Sequence, residues 1–270
     1  MDSETWAKDI WEKASNNWNS RKQDKNYREY LVHPTLKRKL SQINVEKGVH
    51  ADIGCGEGDE TYFLKNLLKK KGFERFIGFD TNKNFVDTAR KEYSEIEFYN
   101  SKDISLFVEE NNLEGKVDLV TSLFVLQDSP QIWYLVEEQS RMLKEKGMSL
   151  NLIVFPQFAE ALNEKGFLKL PTCVNRNRID NYLFAAEYPI VEQEKEPFWV
   201  PYFHRNLSDY IQLIETYFYI DSVQSLKPSK ELLRKSFDKN ISPFCFEKNN
   251  VYWPEISEIP SSVIIKGIKK

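Results

Sequence analysis

The residues best placed to do chemistry lie in one short turn, Gly54-Cys55-Gly56-Glu57-Gly58. An apolar run over residues 49–53 leads into the turn, and a helical pattern over residues 61–70 follows it. Glycine is needed where φ is positive or where the backbone must approach a ligand closely. The spacing is neither the Gly-x-Gly-x-x-Gly of dinucleotide-binding folds nor the Gly-Lys-Ser/Thr of phosphate-binding loops. The turn therefore predicts a ligand of another kind at the start of a helix.

Two acidic residues are candidates to bind the same ligand as this turn. Asp80 ends the next predicted strand, residues 75–80, where an acid in a doubly wound sheet can accept both ribose hydroxyls of an adenosine. Asp52 lies at the turn itself, where its charge would repel a pyrophosphate. The two acids favour a nucleoside with a cationic or amino-acid tail over a dinucleotide.

Four segments, taken in order, resemble the class I S-adenosylmethionine-dependent methyltransferases. They are residues 51–58 (Ala-Asp-Ile-Gly-Cys-Gly-Glu-Gly), 78–81 (Gly-Phe-Asp-Thr), 102–104 (Lys-Asp-Ile) and 117–122 (Val-Asp-Leu-Val-Thr-Ser). The resemblance spans roughly residues 45–155 and implies a Rossmann-like fold with S-adenosylmethionine as cofactor. No metal is expected. The alternative is a tight glycine turn in some other Rossmann-like domain.

The resemblance also assigns residues to the cofactor. An acid at position 103 would accept from the adenine amino group and the next apolar residue would cover the ring, although Asp103 as a helix cap is the alternative. N-terminal helices often close over the cofactor in this family, so Tyr27 and Arg28 are expected at its methionine end, unless they pack on the sheet or face solvent. The predicted cofactor-binding residues are Tyr27, Arg28, Asp52, Gly54, Cys55, Gly56, Asp80, Thr81, Asp103, Ile104, Ser122 and Leu123.

The acceptor is expected beyond the fourth predicted strand, because ligands bind at the carboxyl edge of open α/β sheets. Many family members have histidine where this chain has Gln127, so Gln127 is predicted to orient a substrate and not to act as a base. His204 is the histidine placed near the predicted pocket, either as a base or, with Arg205, as a pin between a lid and the sheet. The predicted substrate residues are Phe124, Gln127, Tyr182, Tyr202 and His204.

Alternating strand and helix patterns predict an α/β fold with a seven-stranded, mostly parallel, doubly wound sheet whose last strand is antiparallel. Residues 1–44 are predicted as an N-terminal helical cap, 45–155 as the cofactor-binding core, 156–205 as a lid insert, and 206–270 as the completion of the sheet. The prolines of the insert are expected to break any long element. Helices are predicted over residues 160–165 and 229–238.

Composition narrows the function classes. The chain has 270 residues and a formal net charge of −3, which gives no electrostatic footprint for nucleic acid. Three cysteines without patterned spacing argue against disulfides or a zinc site. A polar N-terminus and the lack of an apolar run of membrane-spanning length predict a cytoplasmic protein without a membrane partner. The aromatic loop over residues 244–254 is predicted to add a pocket wall or a homodimer contact.

The leading hypothesis is methyl transfer from S-adenosylmethionine to an oxygen or nitrogen of a small-molecule metabolite or natural-product intermediate. The sulfonium methyl is already electrophilic, so the protein chiefly holds donor and acceptor in line. Two alternatives stay open. One is intramolecular ring closure of the cofactor, with release of methylthioadenosine, and the other is cofactor binding without turnover.

Overall fold

A computed structural model describes residues 3–18, 28–156, 184–190, 198–227 and 260–270. Within these residues, seven strands form one sheet and two more form a separate hairpin. The strands are β1 (Gly48–Ile53), β2 (Phe73–Asp80), β3 (Glu97–Asn100), β4 (Val117–Leu123), β5 (Leu143–Val154), β6 (Phe184–Ile190), β7 (Phe198–His204), β8 (Phe218–Leu226) and β9 (Ser262–Lys269).

The large sheet has the strand order β3-β2-β1-β4-β5-β9-β8. Strands β1 to β5 pair in parallel, whereas β9 pairs antiparallel with both of its neighbours, β5 and β8. The predicted seven-stranded sheet with an antiparallel last strand is therefore confirmed. The order reverses between β1 and β4, which is where open α/β sheets bind ligands.

Helices cover both faces of this sheet. The first face holds a core with Phe107, Val136 and Ile214, and the second holds a core with Leu64 and Val86, all buried. The doubly wound prediction is thus confirmed. The helices are α1 (Ser3–Trp18), α2 (His33–Lys39), α3 (Asp59–Leu68), α4 (Lys83–Glu92), α5 (Ile104–Glu110), α6 (Ile132–Met142) and α7 (Leu207–Tyr217), with shorter turns at Arg28–Val32, Lys69–Lys71 and Leu126–Asp128.

Strands β6 and β7 form an antiparallel hairpin inside the predicted lid insert. The sequence did not predict this hairpin: Pro189 and Pro201 both lie within paired strands of seven residues each, so the prolines exclude long elements but not short strands. Each strand of a two-stranded sheet has a free edge, where a residue without an N–H group is tolerated. The predicted helices over residues 160–165 and 229–238, and the loop over 244–254, lie outside the described residues.

Helix α1 lies beside the carboxyl ends of β2 and β4. Its Trp6 ring meets the Phe203 ring of β7 edge to face, with centroids 5.6 Å apart. The side-chain amide of Asn82, which follows β2, donates to the carbonyl of Trp11 at 3.1 Å, and the amide of Gln131 donates to Glu4 at 3.0 Å. Helix α1 therefore joins β7 to the edge of the sheet where the candidate site lies. Among the described residues, no helix is both long and apolar enough to cross a membrane.

Candidate functional site

The glycine turn connects β1 to α3 as predicted. Gly54, Gly56 and Gly58 have φ values of +71°, +54° and +87°, a region that only glycine adopts readily. The N–H groups of Gly54 and Cys55 both donate to the carbonyl of Phe79, at 2.8 and 3.0 Å. These bonds hold the turn against the end of β2 and so bring it next to Asp80.

The three glycines make room for different neighbours. A Cβ atom on Gly54 would lie 2.3 Å from Cγ2 of Val125, and one on Gly58 would lie 2.7 Å from the ring of Phe98. A Cβ atom on Gly56 would meet nothing within 4 Å. Gly54 and Gly58 are thus required for packing, whereas Gly56 leaves open space above the backbone into which a ligand can fit.

Asp80 stands directly beside this open space. Its Oδ2 accepts from the N–H of Gly56 at 2.9 Å, and its Oδ1 accepts from the N–H of Asn82 at 2.8 Å. Burial raises the pKa of Asp80, and the backbone N–H groups that donate to it oppose that rise. Each oxygen retains a further lone pair, so the carboxylate suits the two ribose hydroxyls of an adenosine.

Asp52 lies beneath the turn and is 2% exposed. Its Oδ1 accepts from the hydroxyl of Thr121 and its Oδ2 from the hydroxyl of Thr61, both at 2.6 Å. Burial raises the pKa of Asp52 to about 6, although the two hydroxyl groups oppose that rise. The imidazole of His50 lies behind Thr121, with Nε2 2.9 Å from Oγ1. The sequence reasoning missed the two partners of Asp52 and the imidazole behind them.

Asp103 serves as the cap of α5, the alternative that the sequence left open. Its Oδ1 accepts from the N–H groups of Ser105 and Leu106 and from the hydroxyl of Tyr134, at 2.7, 3.3 and 2.7 Å. The Tyr134 hydroxyl is the main cause that lowers the pKa of Asp103. All these bonds end on Oδ1, so the cap is compatible with the predicted adenine contact. Ile104 is buried in the core.

Arg28 lies close to the glycine turn, at the start of the chain that leads into α2. Its guanidinium is 3.4 Å from the carboxylate of Glu60, which also lies 3.0 Å from Nε2 of His33. Burial would raise the pKa of Glu60, but His33 and Arg28 hold it below its usual range. The structure thus brings Arg28 to the first turn of α3, whereas Tyr27 lies outside the described residues.

Residues that are predicted to contact the acceptor lie just beyond the end of β4. Phe124 has a φ of +61°, which is uncommon for a residue with a side chain, and its N–H donates to Leu152 at 2.7 Å. Ser122 is fully buried and Gln127 is 3% exposed. Within the part of the chain that the structure describes, Oγ of Ser122 and Oε1 of Gln127 have no hydrogen-bond partner.

The end of β7 meets this edge. Tyr202 and His204 are buried, with the Tyr202 hydroxyl 3.4 Å from Nδ1 of His204. Arg205 is fully buried and donates to the carbonyls of Ser129 and Pro130 at 2.8 and 3.0 Å. Arg205 therefore ties β7 to the loop after β4. Tyr182 lies outside the described residues. In the described ranges, no three histidine, cysteine or acidic side chains are grouped so that they could hold a metal ion.

The sequence matches a family model that is described as a methyltransferase domain, over residues 51–149. That range contains the glycine turn, Asp80, Asp103 and the end of β4. A comparison with curated proteins finds no match.

Solved structures share the fold at low sequence identity. One is a putative methyltransferase of Haloferax volcanii in complex with the Trm112 methyltransferase activator (TM-score 0.59, 16% identity, 94% of this chain and 97% of that chain). Another is a putative S-adenosylmethionine-dependent methyltransferase of Listeria monocytogenes (TM-score 0.54, 16% identity, 89% and 99%). A third is the geranyl diphosphate C-methyltransferase of Streptomyces coelicolor, with Mg²⁺, geranyl diphosphate and S-adenosyl-L-homocysteine (TM-score 0.52, 13% identity, 88% and 78%).

These findings agree with the geometry. The open space over Gly56 and the carboxylate of Asp80 fit the adenosine of S-adenosylmethionine, and that cofactor, when bound, supplies an electrophilic methyl group on its sulfonium. The motif order, the strand order and the family model all indicate the same conclusion. The chain therefore contains a methyltransferase domain over residues 51–149, in a fold that it shares with S-adenosylmethionine-dependent methyltransferases.

Proposed function

We propose that this enzyme transfers the methyl group to an oxygen or nitrogen atom of a small molecule. The observation that carries the proposal is the position of β7 over the carboxyl edge of the sheet. Arg205 bonds β7 to the loop after β4, and the ring of Phe203 packs on Trp6 of α1. An acceptor that binds under such a cover must be small, which disfavours a folded protein or a nucleic acid.

The net charge of −3 supports the same substrate class, because a protein that binds nucleic acid needs a basic surface. The similar structure of a geranyl diphosphate C-methyltransferase is an example in which this fold accepts a small molecule. In this proposal, residues 1–44 act as a cap, 156–205 as a lid and 206–270 as the completion of the core of residues 45–155.

We assign His204 as the base that takes a proton from the acceptor, with Gln127 as an orienting group. His204 is buried beside Tyr202, and buried polar groups at a sheet edge can be held rigidly in line with a donor. The cofactor side is assigned to Gly56 and Asp80. In this assignment the chain itself does two things: it fixes the geometry and it removes one proton.

The proposal is tested by incubating the full chain with S-adenosylmethionine carrying a deuterated methyl group and a panel of small alcohols, phenols and amines. Mass spectrometry should find S-adenosylhomocysteine together with one labelled acceptor. Methylthioadenosine above the spontaneous background, without a labelled acceptor, would indicate ring closure and would contradict methyl transfer.

Once an acceptor is found, His204→Gln should lower kcat on the order of 10²–10⁴-fold, the usual contribution of a general base. The affinity for S-adenosylhomocysteine should not change. Tyr202→Phe is the matched control, because it removes the neighbouring hydroxyl and keeps the imidazole. If His204→Gln keeps its turnover and loses only thermal stability, His204 is a structural residue.

A further inference from the structure

A chain of buried hydrogen bonds runs beneath the glycine turn. Thr121 on β4 and Thr61 on α3 both bond Asp52, and His50 on β1 bonds Thr121. All four residues are almost completely buried. Asp52 and Thr121 are direct partners in the register of β1 and β4, and His50 precedes Asp52 by two residues and so lies on the same face. The sheet and α3 therefore hold all four residues of this hydrogen-bonded series in place.

When Asp52 is ionised, the hydrogen bonds of this series can point in only one direction. A carboxylate only accepts, so the hydroxyl protons of Thr61 and Thr121 point toward Asp52. Oγ1 of Thr121 must then accept from the Nε2–H of His50. Burial lowers the pKa of His50 to about 3, so the ring is neutral and its Nδ1 carries no proton. Among the residues that the structure describes, this Nδ1 has no hydrogen-bond partner.

Protonation of Asp52 would disturb this arrangement. A new acid hydroxyl needs an acceptor, yet the two nearest oxygens, those of Thr61 and Thr121, already donate to Asp52. If the Thr121 hydroxyl donated to His50 instead, the His50 proton would have to move to Nδ1, which has no acceptor among the described residues. A buried N–H group without a partner is costly. The chain of hydrogen bonds therefore favours the ionised form of Asp52.

The surroundings of Asp52 favour its protonated form instead. Burial is the main cause that raises the pKa of Asp52, and the carboxylates of Glu60 on α3 and Asp80 on β2 add to it. The thiol of Cys55 also faces this group and is kept neutral, because burial raises its pKa. A cation bound at the turn would compensate the buried charge. The ammonium group of S-adenosylmethionine is such a cation.

We propose that His50 and Thr121 are positioning residues for the cofactor: they favour the anion of Asp52, the form that the bound cofactor requires, so that binding releases one proton wherever Asp52 is protonated in the free protein. The affinity then depends on pH with a defined sign. Below about pH 6, the free protein carries a proton on Asp52 that must leave on binding. The affinity should be constant above about pH 7 and should fall about tenfold per pH unit well below pH 6.

Calorimetry on the wild-type chain tests this coupling directly. S-adenosylhomocysteine is titrated at pH 6 and pH 8, each in two buffers with different enthalpies of ionisation. About half a proton should be released per molecule bound at pH 6, and almost none at pH 8. Equal heats in both buffers at pH 6 would overturn the proposal. This measurement needs no variant, so it is decisive even if a variant fails to fold.

Substitutions then identify the residue that carries the released proton. Thr121→Val and His50→Phe weaken the support of the anion, so each should move the pH of half-maximal affinity upward by about one unit. Thr121→Ser keeps the hydroxyl and should restore the wild-type profile. The matched control is Thr35→Val, which removes a buried hydroxyl that donates to the carbonyl of Leu31; its profile should not change.

Asp52→Asn mimics the protonated form and should bind weakly, with an affinity that does not vary between pH 5 and pH 8. If that variant keeps the pH dependence of the wild type, the proton resides on Asp80 and the proposal is wrong. The proposal is equally wrong if Thr121→Val folds and keeps the wild-type profile.

Discussion

Asp52→Asn should make the cofactor-free protein more stable while it weakens cofactor binding. Burial raises the pKa of Asp52 from 3.8 to about 6, so the folded protein holds this proton more tightly than the unfolded chain does. The stabilisation of the fold by this bound proton is fully present below about pH 4 and is lost as the pH rises through 6. At 1.36 kcal/mol per pH unit, the ionised carboxylate costs about 3 kcal/mol at neutral pH.

Asparagine removes that cost but offers one acceptor oxygen to two hydroxyl groups. The lost hydrogen bond costs about 1 kcal/mol, so the net increase in the free energy of unfolding is about 2 kcal/mol. For a chain of this size, the gain corresponds to roughly 4–8 °C in the unfolding midpoint. The gain should be largest at pH 8 and should shrink toward pH 5, because the wild-type residue becomes protonated there.

The assay is thermal unfolding of both proteins without cofactor, from pH 5 to pH 8. Asp118→Asn is the matched control, because Asp118 accepts from the N–H of Val49 and pairs with Lys144, both at 2.8 Å. That control should lose stability. If Asp52→Asn is less stable than the wild type at pH 8, Asp52 stabilises the fold by itself and the reasoning about its charge is refuted.

Two further predictions concern the turn and the lid. Gly56→Ala and Gly58→Ala both place a side chain at a positive φ, but only the Cβ at position 58 meets the Phe98 ring. Gly56→Ala should therefore chiefly weaken S-adenosylhomocysteine binding by calorimetry, and Gly58→Ala should chiefly lower the unfolding midpoint. The reverse pattern would contradict the assignment of the open space to the ligand. Arg205→Met should lower the free energy of unfolding by about 2–4 kcal/mol in urea, because buried carbonyls lose their donor, and Arg205→Lys should recover part of the loss; an unchanged midpoint would show that Arg205 does not hold β7 to the sheet.

The part of the fold that follows from local patterns could be predicted. Alternating strand and helix signals and the glycine turn were enough for a seven-stranded, mostly parallel sheet with an antiparallel last strand, and for assigning Gly56 and Asp80 to one ligand. The hairpin of β6 and β7 was missed because its prolines were expected to break any long element. In a two-stranded sheet that reasoning fails at Pro189 and Pro201.

The surroundings of Asp52 could be predicted only in part. His50 and Asp52 stand two residues apart on one strand, and this alternation was available from the sequence. Thr61 and Thr121 are separated from Asp52 by 9 and 69 positions, and only the packing of α3 and the register of β4 bring them together. Such a network depends on tertiary contacts that no local pattern encodes.

The acceptor side is the least determined by sequence. A base and an orienting group were predicted at His204 and Gln127, and both residues are buried where β7 meets the loop after β4. Tyr27 and Tyr182 stay predictions, because they lie outside the described residues.

The most direct test of the central claim is calorimetric titration of S-adenosylhomocysteine into the wild-type chain and into Asp80→Ala at pH 8. The account predicts one site in the wild type and a loss of about 1–3 kcal/mol in the variant, which is the cost of leaving ribose hydroxyls without their acceptor. Equal affinity in the two proteins, or no binding to the wild type, would contradict a cofactor site built on Gly56 and Asp80.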